Sequence, residues 1–128
     1  MFYRNGRAAA AVGGEKMAVF DHGKALAGVD GDRELLAELV DLFCEDCPRL
    51  LDELTTAAAG GDAEGIARAA HAIRGSVGIF GAGHAGELAT ELENRGRAKE
   101  LDGAADFAER LRKECEQLFL ELGEFVGA

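Results

Sequence analysis

The fold is decided by Ala70-His71-Ala72-Ile73-Arg74-Gly75-Ser76-Val77-Gly78-Ile79-Phe80-Gly81-Ala82. Read as a helix, in which each residue turns about 100° around the axis, it separates into two faces. Ile66, Ala69, Ala70, Ile73, Val77 and Phe80 gather in one apolar stripe, roughly 160° to 260° from His71, of the kind that packs into a core. His71 stands opposite that stripe. Its nearest neighbours on the outer face are Glu64, Ala67, Gly75, Gly78 and Ala82, most of them small, and Arg68 and Arg74 flank it at about 60° on either side. Ser76 lies about 140° from His71, a position from which its hydroxyl is expected to bond backbone or a neighbouring helix rather than anything bound to the imidazole.

A glycine within a helix costs about 1 kcal/mol relative to alanine, so Gly75 and Gly78 require a reason. Stripped of side chains, that face lets a second protein approach the imidazole closely. Histidine, with an ordinary pKa of about 6.5, offers at cellular pH a neutral ring nitrogen able to attack an electrophile, and an adjacent guanidinium stabilises the resulting anion. His71 is therefore the candidate nucleophile and Arg74 the candidate charge stabiliser. Ala67, Arg68, Gly75 and Gly78 form the candidate docking surface.

The rest of the chain reads as further helices. Asp21 caps a short helix through Ala27, broken by Gly28 and Gly31. Asp32 caps a long one, with apolar residues at Leu35, Leu39, Leu42, Phe43, Leu50, Leu54 and Ala58. Pro48 kinks this helix without ending it, because the periodicity resumes in phase. Gly60-Gly61 closes it, and Asp62 caps the His71 helix after so short a link that the two must lie antiparallel. The next helix carries Leu88, Ala89 and Leu92 toward the core and ends at Asn94 to Gly96, with Gly86 marking a close helix crossing and His84 exposed in the first turn. Leu101, Ala104, Ala108, Leu111, Cys115, Leu118, Leu122 and Phe125 form a near-heptad seam in the last helix, with Phe107 and Phe119 at its edges. The expected fold is all-α, an antiparallel up-and-down four-helix bundle with a short additional N-terminal helix.

Composition agrees. In 128 residues, 48% hydrophobic with a single proline, there is room for one core and no strand-like alternation. Residues 1–18 lack apolar periodicity and read as a flexible tail, leaving 19–128 as the domain. A net charge of -10 argues against nucleic acid and anionic membrane as partners, so partners are expected to be proteins. No apolar run reaches the ~20 residues a membrane helix needs, and no signal peptide is evident, so a cytoplasmic monomer is expected. Cys44, Cys47 and Cys115 are read as packing residues, with no metal site.

The run Ala70-His71-Ala72-Ile73-Arg74-Gly75-Ser76, with Phe80-Gly81-Ala82, Leu88-Ala89 and Leu92-Glu93 after it, resembles the signature of histidine-containing phosphotransfer (HPt) domains. The resemblance extends over nearly everything after about Phe20. Arg74 stands where that family commonly has lysine. The resemblance implies that His71 accepts a phosphoryl group from the aspartyl phosphate of a response-regulator receiver domain and passes it to another, in a two-component phosphorelay. It implies a phosphocarrier rather than an enzyme, one that holds no cofactor, takes Mg²⁺ chemistry from the receiver, and serves receivers or a hybrid histidine kinase. The alternative is a regulatory module that binds receivers or kinases without carrying phosphate.

Overall fold

Three aspartates begin three of the helices in the computed structural model, which describes residues 20–127. Asp21, Asp32 and Asp62 each accept from the backbone N–H three residues on, at 3.0, 3.1 and 3.0 Å, satisfying amides that the first turn leaves free. The elements are α1 (His22–Ala27), α2 (Arg33–Gly60), α3 (Ala63–Ile79), α4 (Gly83–Ala98) and α5 (Ala104–Gly127), with no strand among the described residues. The expected tail, 1–18, lies outside them.

Helix α2 ends where its glycines foretold. Gly61 takes a left-handed φ of 69° and returns its N–H to the helix, and Asp62 follows directly as the cap of α3. Links this short lay α2 to α5 around a ring in which α3 packs on α2 and α4, and α5 on α4 and α2. At the end of α3 the chain turns through Gly81, whose φ is 67°. The Asp21 N–H donates to the Phe80 and Gly81 carbonyls at 3.3 and 3.1 Å, pinning α1 to that turn. Phe43 of α2 holds the same end together, its ring centroid 5.2 Å from both Phe80 and Phe119.

The α3 stripe is buried as its periodicity requires: Ile66, Ala70, Ile73 and Val77 have no exposed surface. Each of the larger ones contributes about 1.5–3 kcal/mol by leaving water. The seam of α5 is buried from Ala104 to Leu122, whereas Leu101 lies before the helix and is half-buried like Phe107, Phe119 and Phe125.

Four expectations need correction. The buried stripe of α2 is Leu36, Val40, Phe43, Cys47, Leu51, Leu54 and Ala57: of the expected residues Phe43 and Leu54 lie on it, Leu39, Leu50 and Ala58 are half-buried beside it, and Leu35 and Leu42 face solvent. Pro48 sits inside an unbroken helix, as expected. Ala82 is not on the outer face beside His71: α3 ends at Ile79, and Ala82 is the buried first cap of α4. Helix α4 continues past Gly96 to Ala98 and closes at Lys99, whose φ is 59°. The close helix crossing is at Gly96 and not at Gly86: a Cβ on Gly86 would meet nothing within 4 Å, whereas one on Gly96 would lie 2.7 Å from the Ala63 carbonyl oxygen and 2.8 Å from the Ala67 nitrogen.

Candidate functional site

Two turns of bare helix surround the imidazole. His71 projects from the middle of α3 with 60% of its side chain exposed, and Gly75 and Gly78 beyond it are exposed, with open space where a Cβ would stand. Ala67, one turn before, is half-buried, and Arg68 is exposed. A shallow depression of about 310 Å³ lies against the ring, lined by Glu64, Ala67, Arg68, His71 and Arg97. Ser76 donates to the Ala72 carbonyl at 3.2 Å, as its angular position required.

Beneath the ring lies a group to which sequence reasoning gave no role. Glu93 of α4 is 5% exposed, and its Oε2 is 3.0 Å from His71 Nδ1. Arg74 Nε reaches Glu93 Oε1 at 3.0 Å, and Arg97 donates to Oε2 through Nη2 and, at 3.2 Å, through Nε. Both carboxylate oxygens are thus engaged. The Arg97 hydrogen bonds hold the Glu93 carboxyl below its ordinary value of 4.5; burial opposes them, and His71 and Arg74 reinforce them.

Two contacts compete for the imidazole Nδ1. The ionised Glu93 carboxylate can only accept, which favours the hydrogen on Nδ1, whereas Arg74 Nη2, 3.1 Å from the same nitrogen, can only donate and favours it bare. Arg74 is also committed to Glu93 Oε1 through its Nε, and with the hydrogen on Nδ1 the remaining nitrogen, Nε2, keeps its lone pair. Two guanidiniums against one carboxylate leave a positive balance around the ring. The long outer face of α2, by contrast, shows Glu34, Glu38, Asp41, Glu45, Asp46, Asp52 and Glu53 against Arg33 and Arg49 alone.

The other candidates lie elsewhere. Cys47 and Cys115 are free thiols fully buried on the facing helices α2 and α5, and the neighbouring Cys115 thiol together with burial pushes the Cys47 thiol up. Burial also raises the half-buried Cys44, with Asp41 adding to it. High thiol pKa values of this kind belong to packing cysteines. His84 is exposed, and the exposed His22 stacks at 4.5 Å on both Phe20 and Phe125, which also meet each other at 5.6 Å. Among the described residues no three His, Cys, Asp or Glu side chains converge as metal ligands do, and no helix is long and apolar enough to cross a membrane.

The family model described as Hpt domain matches residues 38–120. The chain belongs to the Hpt domain family. With that membership comes a phosphotransfer role. The chain is 28% identical over 96 residues, 75% of its length, to the phosphorelay intermediate protein rdeA of Dictyostelium discoideum, and spans 38% of that protein. Its fold matches that of the histidine-containing phosphotransfer protein HptB from Pseudomonas aeruginosa PAO1 with a TM-score of 0.81 at 22% identity, covering 88% of this chain and 97% of the other.

Proposed function

We propose that His71 is the phosphoacceptor, and that Nε2 is the atom phosphorylated. The observation that carries this reading is the buried, ionised Glu93 at Nδ1 of an otherwise exposed ring. The Nε2 lone pair attacks the phosphorus of a receiver's aspartyl phosphate. An N–P bond forms, the bond from phosphorus to the aspartyl oxygen breaks, and the aspartate leaves as carboxylate with the electron pair. The attacked ring becomes cationic, and the Nδ1–H held on Glu93 Oε2 stabilises that charge. Return transfer to a second receiver reverses each change. Because phosphoryl transfer rests mainly on position and charge, a nucleophile fixed on a packed helix needs little more from its own chain.

Arg74 and Arg97 lie where they can share their outward N–H groups with phosphoryl oxygens, and Arg68 offers a further charge across the depression. Ala67, Gly75 and Gly78 give the receiver clearance, and the receiver's acidic pocket brings the Mg²⁺. The protein acts as a carrier rather than an enzyme, as a cytoplasmic monomer. Its donor is a receiver, free or part of a hybrid histidine kinase.

Incubation with phosphorylated receiver domains tests this. Wild type takes up acid-labile, base-stable label and His71→Gln takes none. Label on His71→Gln would place the acceptor elsewhere. Tight receiver binding with no label on wild type would make the chain a non-phosphorylated regulatory module.

A further inference from the structure

Glu93 can serve the imidazole only if α4 comes close enough to α3, and the structure shows what permits this. Glu93 and Gly96 are three residues apart and share the face of α4 turned to α3. On α3, Ala67 and His71 are four apart on one face. The helices run antiparallel, so the contact of Gly96 with Ala67 sits one turn from that of Glu93 with His71. Gly96 is buried, and a Cβ there would stand 2.7 Å from Ala63 O, 2.8 Å from Ala67 N and 3.0 Å from Ala67 Cβ. Two of these three obstacles are backbone atoms, which cannot rotate aside.

We infer that Gly96 is a positioning residue: its missing side chain sets the α3–α4 separation that brings the Glu93 carboxylate to His71 Nδ1 and so favours Nε2 as the free ring nitrogen. This rests on the assignment of His71 as phosphoacceptor. Ordinary contact begins at 3.4 Å, so alanine at 96 requires a local separation of about 0.7 Å beyond the present 2.7 Å. Carried one turn along the pair, that shift stretches the 3.0 Å bond between His71 and Glu93 to about 3.7 Å, outside hydrogen-bonding range. The imidazole then loses its preference for the Nδ1–H form.

The test compares wild type, Gly96→Ala and Gly86→Ala by long-range ¹H–¹⁵N spectra of the His71 ring at a pH where it is neutral, together with the rate of labelling from a phosphorylated receiver. Gly86→Ala, on the same helix with nothing in reach of its Cβ, keeps the wild-type spectrum and rate. Gly96→Ala shows a mixed tautomer pattern and labels about tenfold more slowly, the effect of losing a hydrogen bond to a charged group. Ala67→Ser, which adds one atom to the same gap from the α3 side, is read by the spectrum alone and moves the same way if Gly96→Ala does not fold. A Gly96→Ala or Ala67→Ser spectrum with wild-type Nδ1 and Nε2 shifts overturns the inference. Failure of wild type to label at all, with its tautomer intact, would overturn the phosphoacceptor reading instead.

Discussion

Glu93→Gln removes one negative charge and changes almost no volume, at a site where two guanidiniums and an imidazole meet a single buried carboxylate. Hydrogen bonds to charged groups contribute about 1.5–3 kcal/mol each. Arg74 and Arg97 are 44% and 63% exposed, so water recovers much of what they lose, and the glutamine oxygen keeps one bond. The expected net cost is about 2 kcal/mol at neutral pH, or a melting temperature lower by roughly 10 °C for a domain of this size. The pH dependence sharpens the expectation. Because the folded Glu93 carboxyl titrates below 4.5, its contribution is fully present above that value and is lost as pH falls through the lower, folded value. Urea denaturation of wild type and Glu93→Gln from pH 7 to pH 3 should therefore show a gap that is widest at neutral pH and narrows below about 4.5. Equal stability at pH 7, or a gap of constant size down to pH 3, would refute the account of Glu93 as the ionised centre of the cluster.

Gly75→Ala and Gly78→Ala should each stabilise the isolated domain by up to about 1 kcal/mol, since nothing obstructs the added methyl, while slowing labelling by a receiver; calorimetry and transfer kinetics on the same samples check the opposed signs. Asp62→Ala should cost about 1 kcal/mol through loss of the α3 cap, measured by thermal melting, with the His71 spectrum unchanged. Ellman's reagent should modify Cys44 before Cys47 and Cys115, the latter two only at the rate of unfolding; prompt reaction of all three thiols would contradict the packing described. Raising ionic strength should slow labelling chiefly through the association step, because the approach to Arg68, Arg74 and Arg97 is steered by charge.

What could be read in advance depended on how many solutions each stretch allowed. The α3 segment has one apolar stripe and one bare face, and both lie where the angles put them as far as the helix runs; Ala82, beyond its end at Ile79, does not. Helix α2 is so rich in leucine that two stripes, a residue apart, are nearly equally apolar. The buried one runs through Val40 and Cys47, and a count of leucines favours the other. Gly86 and Gly96 look alike in sequence because the difference between them is the distance to another helix. Glu93 was visible as part of the family-like signature, but its partners come from α3 as well as α4, and only the packed pair brings Arg74 and His71 to it. One local sign was present: Arg97 follows Glu93 at the four-residue spacing at which a carboxylate and a guanidinium meet.

On the proposed assignment of His71, a single imidazole on a single bare wall also dictates the traffic. Two receivers cannot occupy that wall together, so the donor must depart before the acceptor arrives, and exchange takes a ping-pong form with a free, loaded carrier between visits. During that interval the phosphoramidate stands in water, shielded by nothing but the guanidiniums at its side. How far a signal travels is then set by a race between hydrolysis of the loaded carrier and its next encounter.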